Sequence, residues 1–387
     1  MEDVDDLALT GAIVYQSPEE KLDDGVVLVR RGRIANVGHR GAVEIPAGTR
    51  AIDCNGCAIT PGFWNSHVHF HERKWADAES IPASELEREL GEITQYGFTD
   101  LFDLSSPWNN TQRLRDRIVS GEIAGPRIKS TGEGLVPLGG SPSPEVFRAL
   151  GLMETMLTEV STVEQARDAA KKLLARGVDA LKIFASSPLA GQLSREAIGA
   201  AADEAHLEGK LVFAHPNTAF DISAALAGGV DIIAHTTPRS SPWSEDILER
   251  MRTAGVALIP TLTVWKSMMR HDRISARDHA VTAAVGELRA WLKTGGEVLF
   301  GTDAGAMEWD PTDEYRLMAD AGMSAAQILN SLTIAPAQRF SKEAMAGRIA
   351  AGSPATLVVL RGDPSTNVSA LADVRYTMRD GKIIYGG

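Results

Sequence analysis

Cysteine is nearly absent from the 387 residues, which contain only Cys54 and Cys57. A disulfide framework is therefore excluded, and a structural zinc site would need two further ligands beside this C-x-x-C. The pair falls in Asp53-Cys54-Asn55-Gly56-Cys57, not at the strand-to-helix junction of a thioredoxin-type motif, so two reduced thiols around a turn are expected. Positive charge is also short. Lys and Arg number 39 against 51 Asp and Glu, a net charge of −12, which argues against nucleic acid as a partner. No apolar run approaches a membrane span. The acidic opening Met1-Glu2-Asp3-Val4-Asp5-Asp6 has neither the basic nor the apolar region of a secretory signal. These absences lead us to expect a soluble cytoplasmic protein that acts on a small molecule, with homo-oligomerisation left open.

What is present is ordinary globular material, 44% apolar and 23% charged, in a chain too long for one ordinary core. Residues near 8 to 53 hold short alternating segments such as Gly11–Tyr15 and Gly25–Val29, broken by turn residues. The texture returns after Gly352 in Ala355–Leu360 and Tyr376–Tyr385, the latter with Asp380-Gly381 at a hairpin turn. Matching β character at both ends predicts a small discontinuous β-sandwich, residues 1–55 and 351–387. Between them, strands alternate with amphipathic helices, among them Thr162 to Arg176 and Ser194 to Gly209. After a first strand in the apolar run Ala58–Trp64 come Phe98–Asp103, Arg127–Thr131, Ala180–Phe184, Leu211–His215, Val230–His235, Val256–Pro260 and Val298–Asp303. Eight such units predict an α/β fold, a (β/α)8 TIM barrel over residues 56–350.

Chemistry-bearing residues fall at the C-terminal ends of these strands, where a parallel barrel has its active site. In Asn65-Ser66-His67-Val68-His69-Phe70, His67 and His69 lie at i and i+2 of a strand, so both imidazoles can reach one metal ion. His215, His235 and Asp303 end strands five, six and eight. Lys182, inside the apolar Val178–Phe184, would be costly as a buried ammonium; burial favours the neutral amine, which can react with carbon dioxide to give an anionic carbamate able to bridge two divalent metals. His39, His206, His271 and His279 lie in turns or on helices and are assigned no role.

These segments resemble the amidohydrolase superfamily, in particular its imidazolonepropionase-related and prolidase-like branch with a binuclear centre. Pro61-Gly62-Phe63-Trp64-Asn65-Ser66-His67-Val68-His69 resembles the first-strand signature, and Gly301-Thr302-Asp303-Ala304-Gly305 the last-strand signature. The resemblance implies two divalent ions, expected to be zinc. His67, His69 and Asp303 would hold one, His215 and His235 the other, and carboxylated Lys182 would bridge both together with a hydroxide. It also implies that Asp303 moves the proton during attack on the substrate. Two positions depart from the common pattern, Asn65 where many members have Asp, and Ala234 where many have Glu. After His215 the chain runs Pro216-Asn217-Thr218-Ala219, without the glutamate that deaminases of the superfamily place there.

Five of seven tryptophans, Trp75, Trp108, Trp243, Trp265 and Trp309, follow strands at the catalytic end of the barrel. We expect Trp75, Trp265, Trp309 and Met307 to line a pocket for an apolar or aromatic group. The function expected is metal-dependent hydrolysis of an amide or dipeptide-like C–N bond. Hydrolysis of an ester, lactone or cyclic amide is the alternative, and a non-catalytic barrel a more distant one.

Overall fold

The computed structural model describes residues 6–140, 142, 147–148, 151–187, 191–240, 242–268, 274–305, 308–343 and 345–386. Eight strands from the two ends of the chain form one mixed sheet. Its order is Lys382–Tyr385, Val374–Arg379, Leu357–Leu360, Ala58–Pro61, Leu7–Tyr15, Lys21–Arg30 and Arg33–His39, with Arg50–Asp53 also paired to Leu7–Tyr15. The ends meet where Leu357 to Leu360 run antiparallel to Pro61 to Ala58. Period-two alternation gives the sheet its layers: Leu7, Leu9, Val27 and Val29 pack in one cluster, and Ala8, Val26 and Leu28 in another. Asp380 and Gly381 close the last hairpin with φ of 50° and 81°, the left-handed pair that a two-residue turn of this twist requires.

The remaining strands are parallel and form two ladders. One contains Phe63–Val68, Phe98–Asp103 and Arg127–Ser130. The other runs Thr158–Val160, Leu135–Pro137, Ala180–Phe184, Leu211–His215, Ile232–Ala234, Ala257–Ile259 and Glu297–Val298. Hydrogen bonds join the ladders at both edges, among them Asp179 N to Ser130 O (2.8 Å) on one side and Ser66 N to Phe300 O (2.7 Å) and Asp303 N to His67 O (2.9 Å) on the other. Strands Leu135–Pro137 and Thr158–Val160 have no counterpart in the sequence analysis. Helices return the chain between strands, starting where a hydroxyl satisfies a free amide. Thr162 accepts from Gln165 N ahead of Val163–Ala175, and Ser194 from Ala197 N ahead of Arg195–Leu207. Among the described residues no helix is long and apolar enough to cross a membrane.

Two sequence expectations need correction. The run Ala58–Trp64 is two strands in different sheets, because the chain changes direction at Gly62. A Cβ there would stand 2.2 Å from Thr99 Oγ1 and 2.6 Å from Thr356 Cγ2, so only glycine lets the two sheets approach this closely. The last strand is regular only over Glu297–Val298; beyond it the chain follows the first parallel strand through separate bonds and one isolated bridge, Val68 to Ala304, with Asp303 in the left-handed region at φ 61°.

Gly62→Ala is therefore expected to destabilise the protein by about 1–3 kcal/mol through overpacking. Gly91→Ala, in helix Ala83–Thr94 with open space around its Cβ, should instead stabilise it by up to ~1 kcal/mol. Denaturant midpoints of the two variants check the opposite signs.

Candidate metal centre

Asn65 ties the first parallel strand to the last. Its Nδ2 donates to Thr302 Oγ1 (2.8 Å), and its Oδ1 accepts from Thr302 N (3.2 Å) and His67 N (3.3 Å). Further along, His69 N donates to Ala304 O at 2.7 Å. Gly305 permits this contact: its φ is 90°, and a Cβ would lie 1.7 Å from the His69 carbonyl oxygen. The seam brings Asp303 against both histidines of the first strand. Asp303 Oδ1 lies 2.8 Å from His69 Nε2, and 2.9 Å from His67 Nε2 without the alignment of a hydrogen bond. Among the described residues, these three form the one group of His, Cys, Asp or Glu whose ligand atoms converge tightly enough for a metal ion.

His235 and His215 extend the cluster through ring contacts. The His235 ring centroid is 4.6 Å from that of His67 and 4.5 Å from that of His215. Its Nδ1 meets Thr261 Oγ1 at 2.7 Å, which leaves Nε2 free for another partner, as metal-binding histidines require. His235 and Asp303 both hold positive φ, 79° and 61°, a strain of about 1–3 kcal/mol each that the surrounding bonds sustain. His215 is half-buried against Phe184 (5.1 Å), the last residue of the strand that contains Lys182.

Among the described residues, four buried side-chain nitrogens have no hydrogen-bond partner: Nδ1 and Nε2 of His67, Nδ1 of His69 and Nζ of Lys182. An unmade bond on a buried polar atom costs about 1–3 kcal/mol, so this set is a poor protein core. It is a good ligand set: imidazole and carboxylate donors suit zinc and related divalent ions. Electrostatics point the same way. Burial pushes the Lys182 amine down to about 7, and the Asp303 carboxylate opposes this only in part. Burial, reinforced by the Lys182 charge, lowers His67 and His215 to about 3, leaving imidazoles neutral and able to ligate. Burial alone would raise the Asp303 carboxyl, but His67 and His69 outweigh it and hold the group well below its usual range.

His71, not among the residues expected at the site, joins this cluster. It continues the alternation His67, His69, His71, and that spacing was the available signal. Its ring stacks on His69 (4.9 Å, 24° between planes) and meets Phe147 on its other side (4.6 Å). Thr155 Oγ1 lies 3.1 Å from its Nδ1, and burial holds it well below the ordinary histidine value.

Of the tryptophans expected to line a pocket, Trp75 departs from expectation. Trp75 has no exposed surface and donates Nε1 to Glu72 Oε2 (3.2 Å), so it is a loop-core residue and not a pocket wall. Trp309 donates to the same Glu72 oxygen (3.0 Å), and Trp265 to Thr236 Oγ1 (2.8 Å), beside His235. Each keeps a narrow exposed edge, 8% and 7%. Met307 lies outside the described residues.

The chain is similar over most of its length to known hydrolases. The family model described as "Amidohydrolase family" matches residues 58–384. The chain is 23% identical over 370 residues to an ochratoxinase of Aspergillus niger, covering 85% of this chain and 76% of that protein. An uncharacterised protein of Mycobacterium tuberculosis is 27% identical over 293 residues, 72% of this chain and 73% of its own length. Among solved structures, a proposed prolidase from Bifidobacterium longum superposes with a TM-score of 0.83 at 25% identity, covering 98% of this chain and 95% of that one. A Xaa-Pro dipeptidase with bound methionine gives 0.81 at 21%, covering 99% and 100%. Members of the matched family typically bind divalent metals and act on C–N bonds. With a family model spanning most of its length, this chain belongs to the amidohydrolase family and is an enzyme that hydrolyses C–N bonds.

Proposed function

We propose that the chain hydrolyses an amide or peptide-like bond next to an apolar or aromatic group, using two divalent ions, zinc by donor chemistry, held by His67, His69, Lys182, His215, His235 and Asp303. The observation that carries this reading is the set of buried nitrogens on His67, His69 and Lys182 left without a hydrogen bond, with the ionised Asp303 carboxylate against the two histidines. The names of two similar proteins, a prolidase and an ochratoxinase, support an amide substrate. We read the two parallel ladders as a (β/α)8 barrel and the mixed sheet as a separate small β domain built from both chain ends. Gly62, where the chain changes sheets, is then the natural boundary.

Bound divalent ions would supply an acidified water as nucleophile and polarise the scissile carbonyl. The chain's own residues do the rest. Lys182, buried and lowered to about 7, has a substantial neutral fraction at neutral pH, the form that takes up carbon dioxide: a C–N bond forms, a proton leaves, and the carbamate offers two oxygens that share one negative charge. Asp303 Oδ1 faces the two histidines, leaving Oδ2 to accept a proton from the attacking water and return it to the leaving nitrogen. The exposed edges of Trp265 and Trp309 would meet the apolar group of the substrate.

Metal analysis should find close to two divalent ions per chain, and Lys182→Ala should lose about half of them. Short carboxylates added with metal should then restore part of the turnover; a Lys182→Ala protein with full metal content rules out the bridge. Asp303→Asn should lower kcat by roughly a thousandfold with the circular dichroism spectrum unchanged, and near-normal turnover removes Asp303 from the proton path. On a panel of N-acyl amino acids, dipeptides and lactones, Trp265→Ala should cost about tenfold in kcat/KM for aromatic substrates and little for small ones. Equal losses for both would mean that Trp265 only anchors its loop.

A further inference from the structure

At the opposite end of the parallel strands from the histidine cluster lies a cavity of about 710 Å³. Its walls come from where strands begin: Gly62 and Trp64 at the first, Asp100 at the second, Arg127 at the third and Asp179 just before the fourth. The segment after helix Ile334–Phe340 completes it. This volume is in the range of small-molecule sites.

Its chemistry is two-sided. Trp64 and Phe340, ring centroids 5.4 Å apart, form an aromatic wall backed by an apolar core. Val119 and Met345, two apolar side chains left 78% and 44% exposed, stand on the lining as well. Six cationic residues line the space against four carboxylates, an excess of positive charge in a chain of net charge −12. Three of the carboxylates are already engaged: Asp179 with Arg115 (2.8 Å), Asp100 with Arg127 (2.8 Å), and Asp380 with Arg127 (3.0 Å) and Arg379 (3.7 Å). Lys342 and Arg348 line the same cavity and make no hydrogen bond or ion pair with the described residues. A concave aromatic wall beside two uncommitted cations is complementary to a molecule with an apolar body and an acidic head.

We propose that this cavity is a second binding site, separate from the metal centre, for a small amphipathic organic anion whose ring or chain packs on Trp64 and Phe340 and whose acid group pairs with Lys342 and Arg348. Trp64 precedes His67 by three strand residues, roughly 10 Å of extended chain, so an occupant here touches the strand that leads to the metal ligands without entering the reaction site.

The test uses the metal-loaded enzyme and anilinonaphthalene sulfonate, an aromatic anion, as fluorescent probe. The expected result is saturable binding of one molecule per chain, not displaced by saturating substrate. The double variant Lys342→Glu/Arg348→Glu should bind at least tenfold more weakly with hydrolytic turnover unchanged. Val119→Asp, at an exposed position on the lining, should weaken binding independently, and uncharged N-phenylnaphthylamine should bind at least tenfold less well than the sulfonate. Unchanged probe affinity in both variants overturns the site. Equal binding of the neutral probe overturns its anion preference, and displacement by substrate assigns the probe to the metal centre instead.

Discussion

The seam between the first and last parallel strands is the contact on which the catalytic end depends. Asn65 reads Thr302 with both ends of its amide, and Asp303 N and His69 N each find a carbonyl across the seam. Those bonds bring side chains more than two hundred residues apart to within 3 Å. Departure from aspartate at position 65 fits this role, because an amide can donate to the Thr302 hydroxyl and accept from its amide at once, whereas a carboxylate only accepts. The nearness of Gly305 to the His69 carbonyl sets the limit of approach.

Around that seam, the protein tolerates an arrangement that is unfavourable for stability taken alone. Imidazole nitrogens without hydrogen bonds, a lysine with 1% exposure, and His235 and Asp303 at positive φ are concentrated in one place. Local rules broken together at a single location are the mark of a functional site. The neighbouring loops compensate with ordinary bonds. Glu72 accepts from the indoles of both Trp75 and Trp309 and so fastens the loop after the first strand to the one after the last, while Trp265 is held by Thr236.

How much of this was readable in advance follows from the physics of each signal. Alternation along a strand exposes His67 and His69 in the sequence, and a lysine in an apolar run exposes Lys182, because both signals are local. His71 obeys the same alternation but lies beyond the apolar run, where strand register is hard to extend. Strand-terminal position placed the tryptophans near the mouth, yet depth is a tertiary property. Whether the Trp309 indole faces substrate or the Glu72 carboxylate depends on a loop 237 positions away in sequence. Gly62 was hidden for a similar reason: its neighbours, Thr99 and Thr356, lie far along the chain.

The same seam has a consequence for biosynthesis. His69 and Asp303 are separated by 234 positions, and ribosomes add about 5–20 residues per second, so His67 and His69 leave the ribosome roughly 10–50 s before their carboxylate exists. Strand Ala58–Pro61 waits longer still, until Leu357–Leu360 is made. During that interval the nascent chain presents paired imidazoles and an unpaired strand edge without the element that covers either. The side-chain cluster can assemble only after synthesis of most of the polypeptide, so His67 and His69 meet Asp303 late in the chain's production.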